Sequence, residues 1–196
     1  MIRQQIKQAF FLFIALSIIT GMIYPLFVTA IAQGFFRNQA NGSLIVKDGK
    51  AVGSALIGQP FDDPKYFWGR LSATSPVSFN AAASSGSNLG PSNPALLEAV
   101  KARIKALKTA DPDNKASIPI DLVTASASGL DAHISEAAAY YQAPRIARLR
   151  GLSQEKIKTL IAKHAHGRYF GLLGEPVVNV LELNLELEYN LGYGKT

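Results

Sequence analysis

The 196-residue chain has no cysteine, which excludes disulfides and thiolate metal ligands and leaves the redox compartment open. It lacks the G-x-x-x-x-G-K-S/T loop that cradles phosphates and the His-Glu-x-x-His pair that binds zinc. His164 and His166 are two residues apart, which on a helix points them away from each other and argues against a shared metal. There is no internal repeat. Most telling is the absence of charge from Gln8 to Phe36, after which charges recur to the end of the chain.

That uncharged stretch holds AFFLFIALSIITGMIYPLFVTAIA, residues 9–32. About 20 apolar residues rising 1.5 Å each cross a hydrocarbon core of ~30 Å. Two readings compete. Arg3 and Lys7 before it and Ala30-Ile31-Ala32 at its end have the form of a cleaved secretory signal. Against this, Ala9 to Val28 exceeds the roughly 7–15 residues of a signal's apolar core. Ser17 and Gly21, four apart, let a neighbouring helix approach closely, as small residues do in membranes. Pro25 is tolerable as a kink in a packed helix. The residues read better as a retained span over about 9–31, within an N-terminal segment 1–36. Arg3 and Lys7 on the immediate flank favour a cytoplasmic N-terminus. The domain from residue 37 to 196 is then extracytoplasmic, on a single-pass protein of the inner (plasma) membrane.

Beyond Arg37, 17 Lys and Arg face all 14 acidic residues, a formal charge of +3 that gives no argument for nucleic acid. Residues 43–58 have the pattern of a hairpin turning at Asp48-Gly49. Residues 59–83 are aromatic and turn-rich without a clear period. A helix is expected from Pro94 to Lys108, capped by Asn93, with Leu97, Val100, Ile104 and Leu107 inward and Lys101, Lys105 and Lys108 outward. A second is expected over Asp131–Gln142, broken by Pro144. A third follows Ser153, with Ile157, Leu160, Ile161 and His164 on one face. The alternation of residues 178–188 argues for a half-exposed strand, although Leu181 and Leu185 also match a helix. The sum is one mixed α+β domain.

No catalytic arrangement rises above background. Asp62-Asp63 before Pro64 reads as a turn rather than as paired catalytic carboxylates. Two segments suit recognition instead. Gln59, Phe61, Tyr66, Phe67, Trp68 and Arg70 concentrate residue types enriched at interfaces, and the plain alternative is that several simply fill the core. Ser87, Asn88, Leu89, Gly90 and Asn93, in a run from Ser84 to Pro94, have the composition of an anion-binding turn, or of a loop that satisfies its own backbone.

Three stretches carry a resemblance: GSALIGQPFDDPKYFWGRLSAT (53–74), FNAAASSGSNLGPSNP (79–94) and GEPVVNVLELNLELE (174–188). In that order, with the N-terminal span, they resemble the C subunit family (KdpC) of the Kdp potassium-transporting ATPase over essentially the whole chain. Leu71, Phe79 and Ser85 depart from the family's usual Pro, Tyr and Gly. The resemblance implies a non-catalytic subunit of an ATP-driven, high-affinity potassium importer. Its implied partners are a channel-like potassium-binding subunit, a P-type ATPase subunit and a small single-span subunit. The complex would use ATP, Mg and K+, with no cofactor in this chain.

The family is also described as a catalytic chaperone that raises the ATP affinity of the ATPase subunit, with a nucleotide role proposed for a Gln-containing motif, here Gln59. With the N-terminus inside, Gln59 lies across the membrane from cytoplasmic ATP, so such an effect must be allosteric. The Ser17/Gly21 face would pack in the complex, and the domain would cap the potassium-binding subunit. The alternatives are a cytoplasmic-facing regulator that binds nucleotide with the ATPase subunit, and a secreted or anchored binding protein released after Ala32.

Overall fold

The structure, a computed structural model, describes residues 2–190. Its Cα positions divide at Leu44/Ile45 into two units. The first is dominated by one helical run of 34 residues, Ile2–Phe35, whose most apolar 18-residue window has a mean hydropathy of 2.3 and in which no residue is buried. It comprises helix α1 (Ile2–Ile18), a π-helical turn (Ile19–Ile23) and helix α2 (Tyr24–Phe35). Pro25 explains the π turn. Proline has no N–H for the i−4 carbonyl, and the widened turn lets the Tyr24 N–H reach back to the Ile19 carbonyl. Thr20 Oγ1 donates to the Leu16 carbonyl at 2.8 Å. A short helix α3 (Arg37–Ala40) closes on Asn41, whose Nδ2 donates to the Arg37 carbonyl.

The expected hairpin, β1 (Leu44–Lys47) and β2 (Lys50–Ser54), starts at the boundary residue and lies otherwise in the second unit. Asp48 and Gly49 both take positive φ, 48° and 75°, as a type I′ turn requires. An irregular stretch leads to helix α4 (Pro94–Ala110). Its Asn93 cap accepts the Ala95 N–H at 2.9 Å. Leu107 is buried and Val100 and Ile104 pack against the core, but Leu97 stays exposed, so the apolar stripe starts one turn later than expected.

The remaining elements are β3 (His133–Ser135), α5 (Glu136–Arg150), α6 (Gln154–His164), β4 (Ala165–His166), β5 (Val177–Asn179) and α7 (Val180–Asn190). The strands form an antiparallel sheet in the order β3-β5-β4, with Ile134 opposite Val178 and Ala165 opposite Val178. Ile134 and Val178 are buried with Ile146, Ile157, Ile161, Leu183 and Leu187 in a core built between this sheet and the helices. The mixed α+β class is as expected.

Two expectations are corrected. The helix does not cover Asp131–Gln142, nor does it break at Pro144. Residues 133–135 are strand, Ser135 caps the helix by accepting the Ala138 N–H, and α5 runs through Pro144 to Arg150. A mid-helix proline removes the N–H that would serve the carbonyl four residues back, here that of Tyr140, and Asn114 Nδ2 donates to the neighbouring Tyr141 carbonyl at 3.0 Å. The actual stop is Gly151, in the left-handed conformation at φ 66°.

The tail is the second correction. Only residues 177–179 are strand, because Asn179 Oδ1 accepts the N–H groups of Leu181 and Glu182 and starts a helix. Val180, Leu183, Asn184 and Leu187 are all buried, at i, i+3, i+4 and i+7. The alternation is only apparent, because Asn184, polar in sequence, lies inside.

Candidate partner-binding site

Residues 67–70 lie in no helix or strand, held between Gln142 of α5 and Asn184 of α7, so their backbone groups need side-chain partners. They have them. Asn184 Oδ1 accepts the Phe67 N–H at 2.8 Å, and Asn184 Nδ2 donates to the Phe67 carbonyl at 2.9 Å. Gln142 repeats the arrangement on the next residue, accepting the Trp68 N–H at 2.8 Å and donating to its carbonyl at 3.1 Å. Arg150, Arg145 and Arg103 donate to the carbonyls of Lys65, Tyr66 and Gly69, and the Leu71 carbonyl accepts the Ser126 N–H. Two buried amides thus do for this strap what a neighbouring strand would do in a sheet.

The strap's aromatic residues divide accordingly. Phe67 and Trp68 are buried core residues, which corrects their assignment as partner contacts. Burial of large apolar surface, roughly 1.5–3 kcal/mol for each such side chain, holds them there. The guanidinium carbons of Arg103 and Arg145 lie 4.9 and 4.7 Å from the Trp68 ring. Arg145 is buried and has no carboxylate in ion-pair range among the described residues. Burial pushes its guanidinium down to about 10, partly offset by Asp111. Phe61 is half-buried, its ring 5.8 Å from that of Tyr66. Tyr66 Oη donates to Glu188 at 2.8 Å, and Arg150 bonds the same carboxylate at 2.9 Å. The hydrogen bonds from Arg150 and Tyr66 hold Glu188 below the usual carboxylate range, and the bond to Glu188 raises the Tyr66 phenol.

Arg70 is an internal staple. Nη1 meets Asp131 Oδ2 at 3.1 Å and Nη2 donates to the Ala125 carbonyl at 3.2 Å. Burial opposes ionisation of Asp131, yet hydrogen bonds from His133 and Arg70 outweigh it and leave the carboxyl below its ordinary value. Gln59 is also used internally: Nε2 donates to the Val52 carbonyl at 2.8 Å. Gln59, Arg70 and Arg103 line a small cleft of about 100 Å³. Asp63 Oδ1 accepts the Lys65 N–H, the turn that Asp62-Asp63-Pro64 suggested.

The serine-rich run is tied to the turn at Ser128. Ser84 Oγ and the Ser85 N–H both donate to the Ser128 carbonyl at 3.0 Å. A Cβ on Gly86 would stand 2.7 Å from the Ala127 oxygen, so glycine there is a packing requirement. Asn93 is the α4 cap. Ser87, Asn88 and Gly90 are exposed and Leu89 is half-buried. Ser17 and Gly21 are exposed on the apolar helix, with Gly21 inside its π turn and nothing within 4 Å of a Cβ built there.

Residues 6–189 match the family described as "KdpC: K+-transporting ATPase, c chain". The chain belongs to the KdpC family. Similar proteins include the "Potassium-transporting ATPase KdpC subunit" of Ralstonia nicotianae, 63% identical over 182 residues, covering 93% of this chain and 89% of that one. Those of Sorangium cellulosum (60% over 183 residues, 93% and 96%) and Herpetosiphon aurantiacus (63% over 175 residues, 89% and 91%) carry the same name. In this KdpC chain, sequence reasoning missed Gln142 and Asn184, the two residues that place the strap. The available signal was a lone amide inside an apolar helical face, in AAAYYQAPRIA and in VLELNLEL. It also passed over Tyr169-Phe170-Gly171-Leu172-Leu173, four large apolar residues enclosed by Gly167 and Gly174.

Proposed function

We propose that this chain is a non-catalytic subunit of an ATP-driven potassium importer, retained in the membrane by residues 2–35 with its N-terminus in the cytoplasm. Its domain lies outside the cytoplasm and caps the potassium-binding subunit. Any influence on ATP affinity reaches the ATPase subunit through the assembly. ATP, Mg and K+ belong to the partner subunits in this reading.

The observation that carries it is the helical run Ile2–Phe35, apolar and with no residue buried in its own chain. Helices of this kind need lipid or other helices around them. Arg3 and Lys7 precede the run and support the orientation. Gln59, the residue that a nucleotide-binding role would need, spends its amide on Val52, so nothing favours that second reading.

The interface is tested by Gly21→Leu. No atom lies within 4 Å of the added Cβ in this chain, so thermal unfolding of the domain should be unchanged. Recovery of the other subunits with the tagged chain should fall roughly 3- to 15-fold, as for close helix contacts in membranes. Undiminished recovery would remove Gly21 from any interface.

A further inference from the structure

Between β4 and β5 the chain makes an excursion, Gly167 to Pro176, that packs on nothing in the core. At its neck Arg168 Nη2 bonds both Glu175 oxygens, at 2.9 and 2.8 Å. Above the neck, the Tyr169 N–H donates to the Leu173 carbonyl at 2.8 Å, and the Leu173 N–H returns to that of Tyr169 at 3.0 Å. Phe170 and Gly171 turn the chain with positive φ, 54° and 73°, a region that a bulky side chain rarely enters. The tip is therefore built, and what it builds is apolar. Tyr169, Phe170, Leu172 and Leu173 are 78%, 94%, 81% and 64% exposed.

We infer that this tip is an anchor that inserts into an apolar socket on the extramembrane surface of another subunit of the potassium-transporting ATPase. This rests on the subunit role proposed above. Four such side chains present on the order of 500 Å² of apolar surface, within the range of the largest patch on a typical monomer, which is often functional. That is less than the roughly 800 Å² per partner of a stable interface. It suffices here because the membrane helix tethers the domain to the same assembly, which makes the second contact intramolecular.

A protein socket suits the tip better than a lipid surface. Lipid needs no fixed shape, whereas the neck ion pair and paired turn hold one geometry. The flanking charges, Arg168 and Glu175, also neutralise each other, without the basic cluster that an anionic bilayer attracts. Backbone strain concentrated at a recognition point fits the same reading.

The test places a photo-crosslinker in the full complex reconstituted in lipid nanodiscs, as Phe170→p-benzoylphenylalanine. Ile120, equally apolar and 76% exposed, carries the same substitution as a control. The expected product joins residue 170 to another subunit, with at least about tenfold the yield at residue 120, as for a central hot-spot residue. Cross-links to lipid or to a second copy of this chain overturn the inference, as does absence of any product in an intact complex. Failure of the unsubstituted chain to recover the other subunits would instead overturn the subunit role itself. Phe170→Ser combined with Leu172→Ser adds a measurement without the probe. Unfolding should be unchanged, and dissociation of this chain from the complex should speed up about tenfold or more. An unchanged dissociation rate contradicts the anchor.

Discussion

Asn184→Leu should lower the unfolding free energy of the domain by about 2–5 kcal/mol, although leucine is of similar size and Asn184 lies in an apolar helix face. The side chain is buried and serves the N–H and the carbonyl of Phe67, at 2.8 and 2.9 Å. Leucine abandons both groups at a depth that water does not reach. Each unsatisfied group costs about 1–3 kcal/mol, while the gain from a better hydrophobe recovers only part. For a domain of this size the midpoint of thermal unfolding should drop by roughly 5–15 °C. Asn184→Asp keeps the acceptor but turns a buried carboxylate oxygen toward the Phe67 carbonyl, so at neutral pH its loss should be at least as large. A change below about 1 kcal/mol for Asn184→Leu would mean that the amide does not hold the strap.

Gly129→Ala should be about as damaging, at about 2–5 kcal/mol, for a different reason. Gly129 is buried at φ 69°, and a Cβ built on it stands 2.6 Å from both the Ser85 carbonyl oxygen and Thr74 Cγ2. Left-handed backbone alone costs an alanine about 1–2 kcal/mol, and crowding in a packed site adds about 1–3. The same turn supports the serine-rich run through the Ser128 carbonyl, so amide exchange at Ser85 should speed up with the global loss. Gly151 is the control. It has φ 66° but nothing within 4 Å of an added Cβ, so Gly151→Ala should show the backbone cost alone. Equal losses at the two glycines would refute the close approach at Gly129.

Much of the fold was legible because local chemistry agreed with tertiary structure. Asp48-Gly49 dictates its hairpin, Asn93-Pro94 its helix start, and Ser153 the cap of α6. Errors arose where tertiary partners override a local rule. Pro144 stays inside α5, next to the Tyr141 carbonyl that Asn114 holds from another segment. The alternation near the C-terminus is helical because Asn184 faces a backbone 117 residues away in sequence. The candidate segments were found, but their roles within the domain were not. Gln59, Phe67, Trp68 and Arg70 are interface-like in composition and are used internally, since a strap in no helix or strand needs such residues to fix it. The exposed tip at 169–173 was missed because its significance lies in what it fails to bury, and no local pattern reports that.

The claim that the domain lies outside the cytoplasm decides every later question, including whether this chain can meet ATP. The chain has no cysteine, so single cysteines replacing the exposed Ser92 or Ser117 can be labelled in intact cells with a membrane-impermeant maleimide. Labelling of both positions without permeabilisation is the predicted result. Labelling only after the membrane is opened would place the domain in the cytoplasm and contradict the account.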